Sequence, residues 1–314
     1  MPDPVLRQVE HTQEVQAPAA EVYRLIAEVA NWPRIFPPTI HVDHVERGEE
    51  SERIRIWATA NGEAKSWTSR RELDPQALRI RFRQEVSTPP VAAMGGTWIV
   101  EPLTATSSLV RLLHDYRAVD DDPDGLAWID AAVDRNSRSE LAALAAGAEA
   151  GTSGPDLLLT FEDSVDIEAP AKDVYDFLNE AQLWTERLPH VAKVRLTEDV
   201  PGLQLLEMDT LTKDGSSHTT ASVRVCFPDH RIVYKQIVVP ALMTLHTGYW
   251  QLTEQDGHTR ATSQHQVIIN AANITKVLGA DAGIDEAKAF VRNALGTNSR
   301  ATLGHAKAYA EGRA

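Results

Sequence analysis

Val15-Gln-Ala-Pro-Ala-Ala-Glu-Val-Tyr23, followed by Trp32-Pro33, returns 152 residues on as Asp166-Ile-Glu-Ala-Pro-Ala-Lys-Asp-Val-Tyr175, followed by Trp184. The same offset relates Trp98 to Trp250. Near the end of each half, Asn136-Ser-Arg-Ser-Glu-Leu141 returns as Asn298-Ser-Arg-Ala-Thr-Leu303, which places an insertion of about ten residues in the second copy. A unit of half the chain that occurs twice is a duplicated domain, and two copies are too few for a solenoid. The expectation is one domain over residues 1–150 and a second over 156–314. Residues 142–155, rich in Ala, Gly and Ser, read as the linker between them.

Length agrees with two domains, each long enough to bury its own core. The chain of 314 residues carries 31 basic against 45 acidic side chains, a net charge of −14. Both halves are acidic: 16 basic and 24 acidic residues up to residue 150, then 15 and 21. Neither has the basic footprint of a nucleic-acid binder. Cys226 is the only cysteine, which excludes an intrachain disulfide and disfavours a thiolate metal site. Met1-Pro-Asp-Pro-Val-Leu-Arg7 has no signal-peptide core, and no apolar run of about 18 residues offers a membrane span. A soluble, cytoplasmic protein is expected.

Within each half the periodicities follow one order. Residues 5–16 alternate as a strand, and Pro18 suits the start of a helix. Val22, Leu25, Ile26 and Val29 give that helix a stripe at 3 and 4 spacing. Pro37-Pro38 closes a short second helix or turn that begins at Trp32. From 39 to 117 the chain alternates in about six strands (Ile54/Ile56, Ile80/Phe82, Trp98/Val100), punctuated at Gly48, Asn61-Gly62, Asp74-Pro75, Pro89-Pro90 and Thr104–Thr106. A long helix follows, with Leu126, Ile129, Val133, Asn136, Glu140 and Leu144 on one face. The second half repeats this as strand 157–168, helices 170–188, strands 190–269 and long helix 281–311. The class is α+β: two tandem helix-grip, or START-like, domains, each an antiparallel sheet wrapped on a long C-terminal helix with a cavity between them.

That cavity is where chemistry is sought. Side chains alternate across a sheet, so in Lys65–Leu73 the residues Trp67, Ser69, Arg71 and Leu73 share the face bracketed by large apolar residues. Arg71 stays charged at any relevant pH, and burying it without a partner is costly. Either an anionic or dipolar ligand meets it, or it forms a structural ion pair with Glu63, Glu85 or Glu101. Arg79, Arg81 and Arg83 occupy one face of the next strand. They read as a solvated outer face, and equally as the densest basic surface of an acidic chain, able to steer an acidic partner. Asn136 and Asn298 stand at equivalent points of the two long helices. At the 152 offset, Trp67, Ser69 and Arg71 become Thr219, Ala221 and Val223, an apolar set; a slip of one residue would instead turn His218, Thr220, Ser222 and Arg224 inward. Seven of the eleven histidines lie in the second half, among them His190, His218, His246 and His265, each a potential acid or base. Trp184, His218, Trp250 and Asn298 are the candidate residues of its pocket.

Several chemistries lack their signatures. There is no His-Glu-x-x-His, Walker loop, Gly-x-Gly-x-x-Gly or Gly-x-Ser-x-Gly elbow, and His41 and His44 point to opposite faces of a strand. No metal or other cofactor is expected; catalysis would rest on positioning, polarisation and proton transfer.

In combination, Trp32-Pro-x-x-Phe36, Ser66-Trp67-Thr-Ser69-Arg-Arg71 and Arg135-Asn136-Ser-Arg138 resemble the bacterial type II polyketide aromatase/cyclases, and the tandem arrangement resembles their di-domain members over essentially the whole chain. The resemblance implies a catalytic role for Arg71 and a pocket lined by Trp32, Phe36, Trp67, Ser69 and Asn136, with Trp98 on the same wall. Where some relatives carry a tyrosine after the Trp-Pro turn, this chain has Thr39 or Ile40. The implied substrate is a poly-β-ketone carried on an acyl carrier protein, closed between carbons 7 and 12 and aromatised by loss of water. Other synthase subunits are the implied partners, and the Arg79/Arg81/Arg83 face is a candidate carrier docking site. The competing reading is a non-catalytic carrier of hydrophobic ligands; a vestigial-cavity interaction module is a third.

Overall fold

A computed structural model of the chain describes residues 6–60, 63–211 and 217–313; the side chains at 60, 152, 153, 217 and 218 lie outside the described set. The chain divides into two compact units, Met1–Pro155 and Asp156–Ala314. The first runs β1 (Arg7–Val15), α1 (Ala19–Ala27), α2 (Trp32–Ile35), β2 (Thr39–Arg47), β3 (Ser51–Ala60), β4 (Glu63–Asp74), β5 (Arg79–Gln84), β6 (Val91–Pro102), β7 (Ser108–Ala118) and α3 (Pro123–Ser153). The second repeats it as β8 (Leu158–Ile167), α4 (Ala171–Asn179), α5 (Trp184–Arg187), β9 (Val191–Val200), β10 (Leu203–Leu211), β11 (Ser217–Phe227), β12 (Arg231–Val238), β13 (Met243–Gln255), β14 (His258–Ile269), α6 (Ile274–Leu278) and α7 (Ile284–Glu311).

Each unit holds one seven-stranded antiparallel sheet. The orders are β1-β7-β6-β5-β4-β3-β2 and β8-β14-β13-β12-β11-β10-β9. Hairpins join the last six strands, while the first crosses to pair with the last. Two short helices occupy that crossover, and α3 packs on β1 and β7 as α7 packs on β8 and β14.

Helix α1 buries Val22, Leu25 and Ile26, the stripe read from the sequence, against Ile80, Val100, Leu112 and Leu144 of sheet and long helix. Each such side chain contributes about 1.5–3 kcal/mol relative to its exposed state. One pair of glycines is required by close packing. A Cβ on Gly96 would stand 2.1 Å from the Leu113 carbonyl oxygen and 2.6 Å from the Phe82 ring; on Gly248 it would stand 2.1 Å from the Gln264 oxygen and 2.7 Å from the Tyr234 hydroxyl. Both glycines clear room for a ring facing them across a β-ladder.

Two expectations need adjustment. Residues 142–153 are the last turns of α3, not a linker: Leu144, Ala145 and Ala148 are buried there, and alanine is the best helix former. The insertion in the second copy falls between sheet and long helix. Four residues (119–122) make that connection in the first unit, and fourteen (270–283), including α6, make it in the second.

Candidate functional site

A cavity of about 480 Å³ opens between sheet and long helix of the first unit. Trp32, Phe36, Trp67, Ser69, Arg71, Trp98 and Asn136, all singled out from the sequence, line it. Trp128, half exposed at the start of α3, joins them, as do Thr39, Phe82, Gln84, His114 and Glu140. The alternation of β4 therefore runs as the sequence indicates, with Ser69 and Arg71 turned inward.

Arg71 is 2 % exposed and its charge is met inside the protein. Its Nη1 donates to Glu52 Oε1 at 2.6 Å and to the Ala27 carbonyl at 3.2 Å; Nη2 donates to the Ile26 carbonyl at 2.8 Å. The guanidinium lies 5.1 Å from the centre of the Trp32 ring. Burial pulls its pKa below the ordinary arginine value, and Glu52 opposes that shift. The anionic partner is thus none of the three acids proposed from the sequence. Glu63 pairs with Lys65, Glu85 with Arg53 and Arg70, and Glu101 with Arg111. Register explains the choice: Glu52 stands directly opposite Arg71 in the β3–β4 ladder, and His44 bonds its other carboxylate oxygen at 2.9 Å. Three of the five guanidinium N–H bonds are accounted for by these contacts. The Ser69 hydroxyl donates to the Arg83 carbonyl at 3.2 Å, which leaves its lone pairs available.

The titratable wall also holds two groups that sequence reading did not assign. His114, on β7, packs edge-on against Phe82 and lies 3.4 Å from Ser137 Oγ. Burial, aided by His11, lowers its pKa to about 4, so it is neutral at pH 7. Glu140, one turn beyond Asn136 on α3, is half-buried and lines the cavity. Burial alone raises its carboxyl to about 7. The helical stripe named Glu140, but a glutamate between Asn136 and Leu144 on an apolar face was itself the signal: an acid there is held off bulk water.

On the outer face, Arg79, Arg81 and Arg83 are exposed. Arg83 is bonded to Asp115 at 2.6 Å, and Arg53 and Arg70 beside it share Glu85, so carboxylates interrupt the patch.

The second unit has a smaller cavity, about 150 Å³, lined by Trp184, Trp250 and Asn298 among the expected residues. The side chain of His218 lies outside the described residues. Here the slipped register holds. Thr220, Ser222 and Arg224 line the cavity, whereas Ala221 and Val223 are buried on the opposite face of β11. Arg224 sits over Trp184, 5.3 Å from the ring centre, and donates to the Leu178 carbonyl at 2.6 Å. Around the cavity His246 Nε2 and His265 Nδ1 are 3.0 Å apart. The Tyr234 hydroxyl lies 3.0 Å from that same His265 nitrogen, and Ser263 Oγ is 3.1 Å from His265 Nε2. Burial lowers the two imidazoles to about 3 and about 4 and raises Tyr234, so all three are neutral at pH 7.

These features define a class: a tandem START-like protein whose halves each close a sheet and a long helix over an aromatic-walled pocket holding a buried arginine. Family models described as polyketide cyclase / dehydrase and lipid transport match residues 7–149 and 167–293. The chain is 55% identical over 296 residues to a granaticin polyketide synthase bifunctional cyclase/dehydratase of Streptomyces virginiae, covering 94% of this chain and 97% of that one. It is 45% identical over 320 residues to the actinorhodin polyketide synthase bifunctional cyclase/dehydratase of Streptomyces coelicolor, covering 99% of each. Among solved structures, the di-domain aromatase/cyclase BexL of the BE-7585A pathway superposes with a TM-score of 0.92 at 69% identity, covering 97% of this chain and 99% of that one. StfQ of the steffimycin pathway gives 0.89 at 35%, with the same coverage. This chain belongs to the polyketide cyclase/dehydrase family, in its two-domain aromatase/cyclase form.

Proposed function

We propose that the chain is a polyketide aromatase/cyclase that closes the first ring, between carbons 7 and 12, of a poly-β-ketone and aromatises it, and that the N-terminal cavity is the reaction site. The observation that carries this reading is the pairing of a buried arginine with a carboxyl held near neutrality in one tryptophan-walled cavity. A methylene between two carbonyls is acidic, and a carboxyl whose pKa is close to the working pH is the efficient proton acceptor for it. Glu140 takes that proton. The N–H bonds of Arg71 not committed to Glu52 or α1 stabilise charge building on the enolate oxygen and then on the aldol alkoxide. The new carbon–carbon bond forms, and the alkoxide recovers the proton from Glu140. In the dehydration a ring C–H proton and the hydroxyl depart together as water, the proton passing through the same carboxyl. Ser69 orders a relay water by accepting its hydrogen bond. The indoles hold the chain folded and exclude bulk solvent, which decides which carbons meet.

The substrate in this reading is a thioester on an acyl carrier protein of a type II polyketide synthase, met by the Arg79/Arg81/Arg83 face. The test is reconstitution with the synthase and carrier, followed by product analysis. The wild-type chain yields the aromatised first ring, and Arg71→Ala and Glu140→Gln return spontaneously cyclised shunt products. An undiminished rate of correct ring formation by both variants would discard the assignment.

A further inference from the structure

The two buried arginines are held in one constellation with one exchange. Glu52 faces Arg71 in the β3–β4 ladder, and Gln204 faces Arg224 in the β10–β11 ladder. Both guanidinium groups reach carbonyl oxygens at the end of the preceding short helix, and both lie over the tryptophan that follows it. In the first unit a carboxylate closes the arrangement. In the second an amide stands in its place: Gln204 Nε2 donates to Glu198 Oε2 at 2.7 Å and to the Asn179 carbonyl oxygen at 3.3 Å, and Gln204 Oε1 is buried with no hydrogen-bond partner among the described residues. Arg224 Nη1 is likewise buried with no hydrogen-bond partner among the described residues, and Arg224, only 2 % exposed, lines the cavity.

The other carboxylate of the first cavity is also missing from the second. Asn136-Ser-Arg-Ser-Glu140 aligns with Asn298-Ser-Arg-Ala-Thr302, so Thr302 stands on the cavity wall where Glu140 stands in the first. The ionisable neighbours that bear on the guanidinium are Glu198, Tyr175 and Cys226, all acting across space. A desolvated cation with an open N–H is expensive unless an anionic oxygen completes it. The cavity that would hold that oxygen is walled by Trp184, Trp250 and Leu206. Its size matches a hollow that admits one benzene-sized ring.

We propose that the C-terminal cavity is a separate binding site for one planar ring bearing an ionised oxygen, an enolate or phenolate, with that oxygen on Arg224 Nη1 and the ring against Trp184 and Trp250. Lacking a carboxyl, the site takes the ligand already ionised rather than ionising it. The site is defined by its own donors and stands whether or not the N-terminal cavity closes a ring.

The probe is 4-nitrophenol, whose anion is followed by its visible absorbance while bound to the full-length protein at a series of pH values. The wild-type chain should prefer the anion over the neutral phenol by about tenfold, which lowers the bound probe's titration by about one pH unit. Gln204→Glu rebuilds the ion pair that the first unit already accommodates, so it keeps the fold while filling the open donor; the preference should vanish. Arg224→Gln should abolish it too, and if that variant fails to fold, Gln204→Glu decides. Arg71→Gln should leave the preference intact. No preference in the wild-type chain, a preference that survives Gln204→Glu, or one lost only in Arg71→Gln would each overturn the proposal.

Discussion

Around the tryptophan that follows the first short helix, the N-terminal unit sets Glu52 in direct contact with its arginine and Glu140 on the wall of the same cavity, while the C-terminal unit has Gln204 and Thr302 at those positions. Phe82 and Met94 of the first unit correspond by the same repeat to Tyr234 and His246, so the second gains a hydroxyl and an imidazole in exchange. In the roles proposed above, one backbone supports a cavity that moves protons and one that receives negative charge. On that proposal duplication separates two requirements, because a base that ionises a methylene and a cation kept open for an anion would quench one another at close range.

The sharpest way to break this comparison is Arg71→Ala. It removes the donor proposed for the developing oxyanion and strands the buried Glu52. Correct ring formation should fall about 10²–10³-fold, and stability by about 3–5 kcal/mol, the cost of leaving one partner of a buried pair alone; product analysis and urea unfolding check the two separately. Glu140→Gln should cost about 10²-fold in rate and act oppositely on stability. Its carboxyl is raised in the folded state, so it destabilises increasingly as pH climbs past the unfolded value and fully above about 7. The variant should therefore melt higher than wild type at pH 8 and alike at pH 4. Glu52→Gln copies the second unit's arrangement into the first. Because that unit folds around Arg224 with Gln204 opposite, the penalty should fall below the value for a stranded buried charge, about 1–3 kcal/mol, with ring formation reduced but present. The smallest effect belongs to His246→Leu. A buried imidazole held neutral to about pH 3 contributes stability that is complete above its unfolded pKa and lost as pH falls below it. The drop in melting temperature between pH 7 and pH 5 should be shallower in the variant. A drop as steep as in wild type would assign the acid sensitivity to His265 and His114.

The duplication, the strand order and the inward face of β4 were legible because they rest on a repeat and on period-two alternation. The identity of Arg71's partner was not, since pairing across β3–β4 depends on how the hairpin closes. The second pocket stayed open between two registers one residue apart for a specific reason. Between Ala60 and Glu63 lie two residues, between Leu211 and Ser217 five; the next turn is four residues long in the first unit (75–78) and three in the second (228–230). The longer first turn is compensated by β10, β11 and the second turn each being one residue shorter, so the offset is 152 on both sides and only the strand between is shifted, with Arg224 opposite Gln204 as Arg71 is opposite Glu52. A shift of one exchanges the two faces of that strand, so the aligned tryptophans on either side gave no warning. Glu140 was visible as a helical position, but its chemistry comes from burial, which no spacing reports.

The fourteen residues between β14 and α7 carry Ile274 and Leu278 onto Leu242, Met243 and Val291, against the Leu295 that lines the smaller cavity. The insertion in the second copy therefore braces, from outside the cavity, the helix that supplies its Leu295 wall.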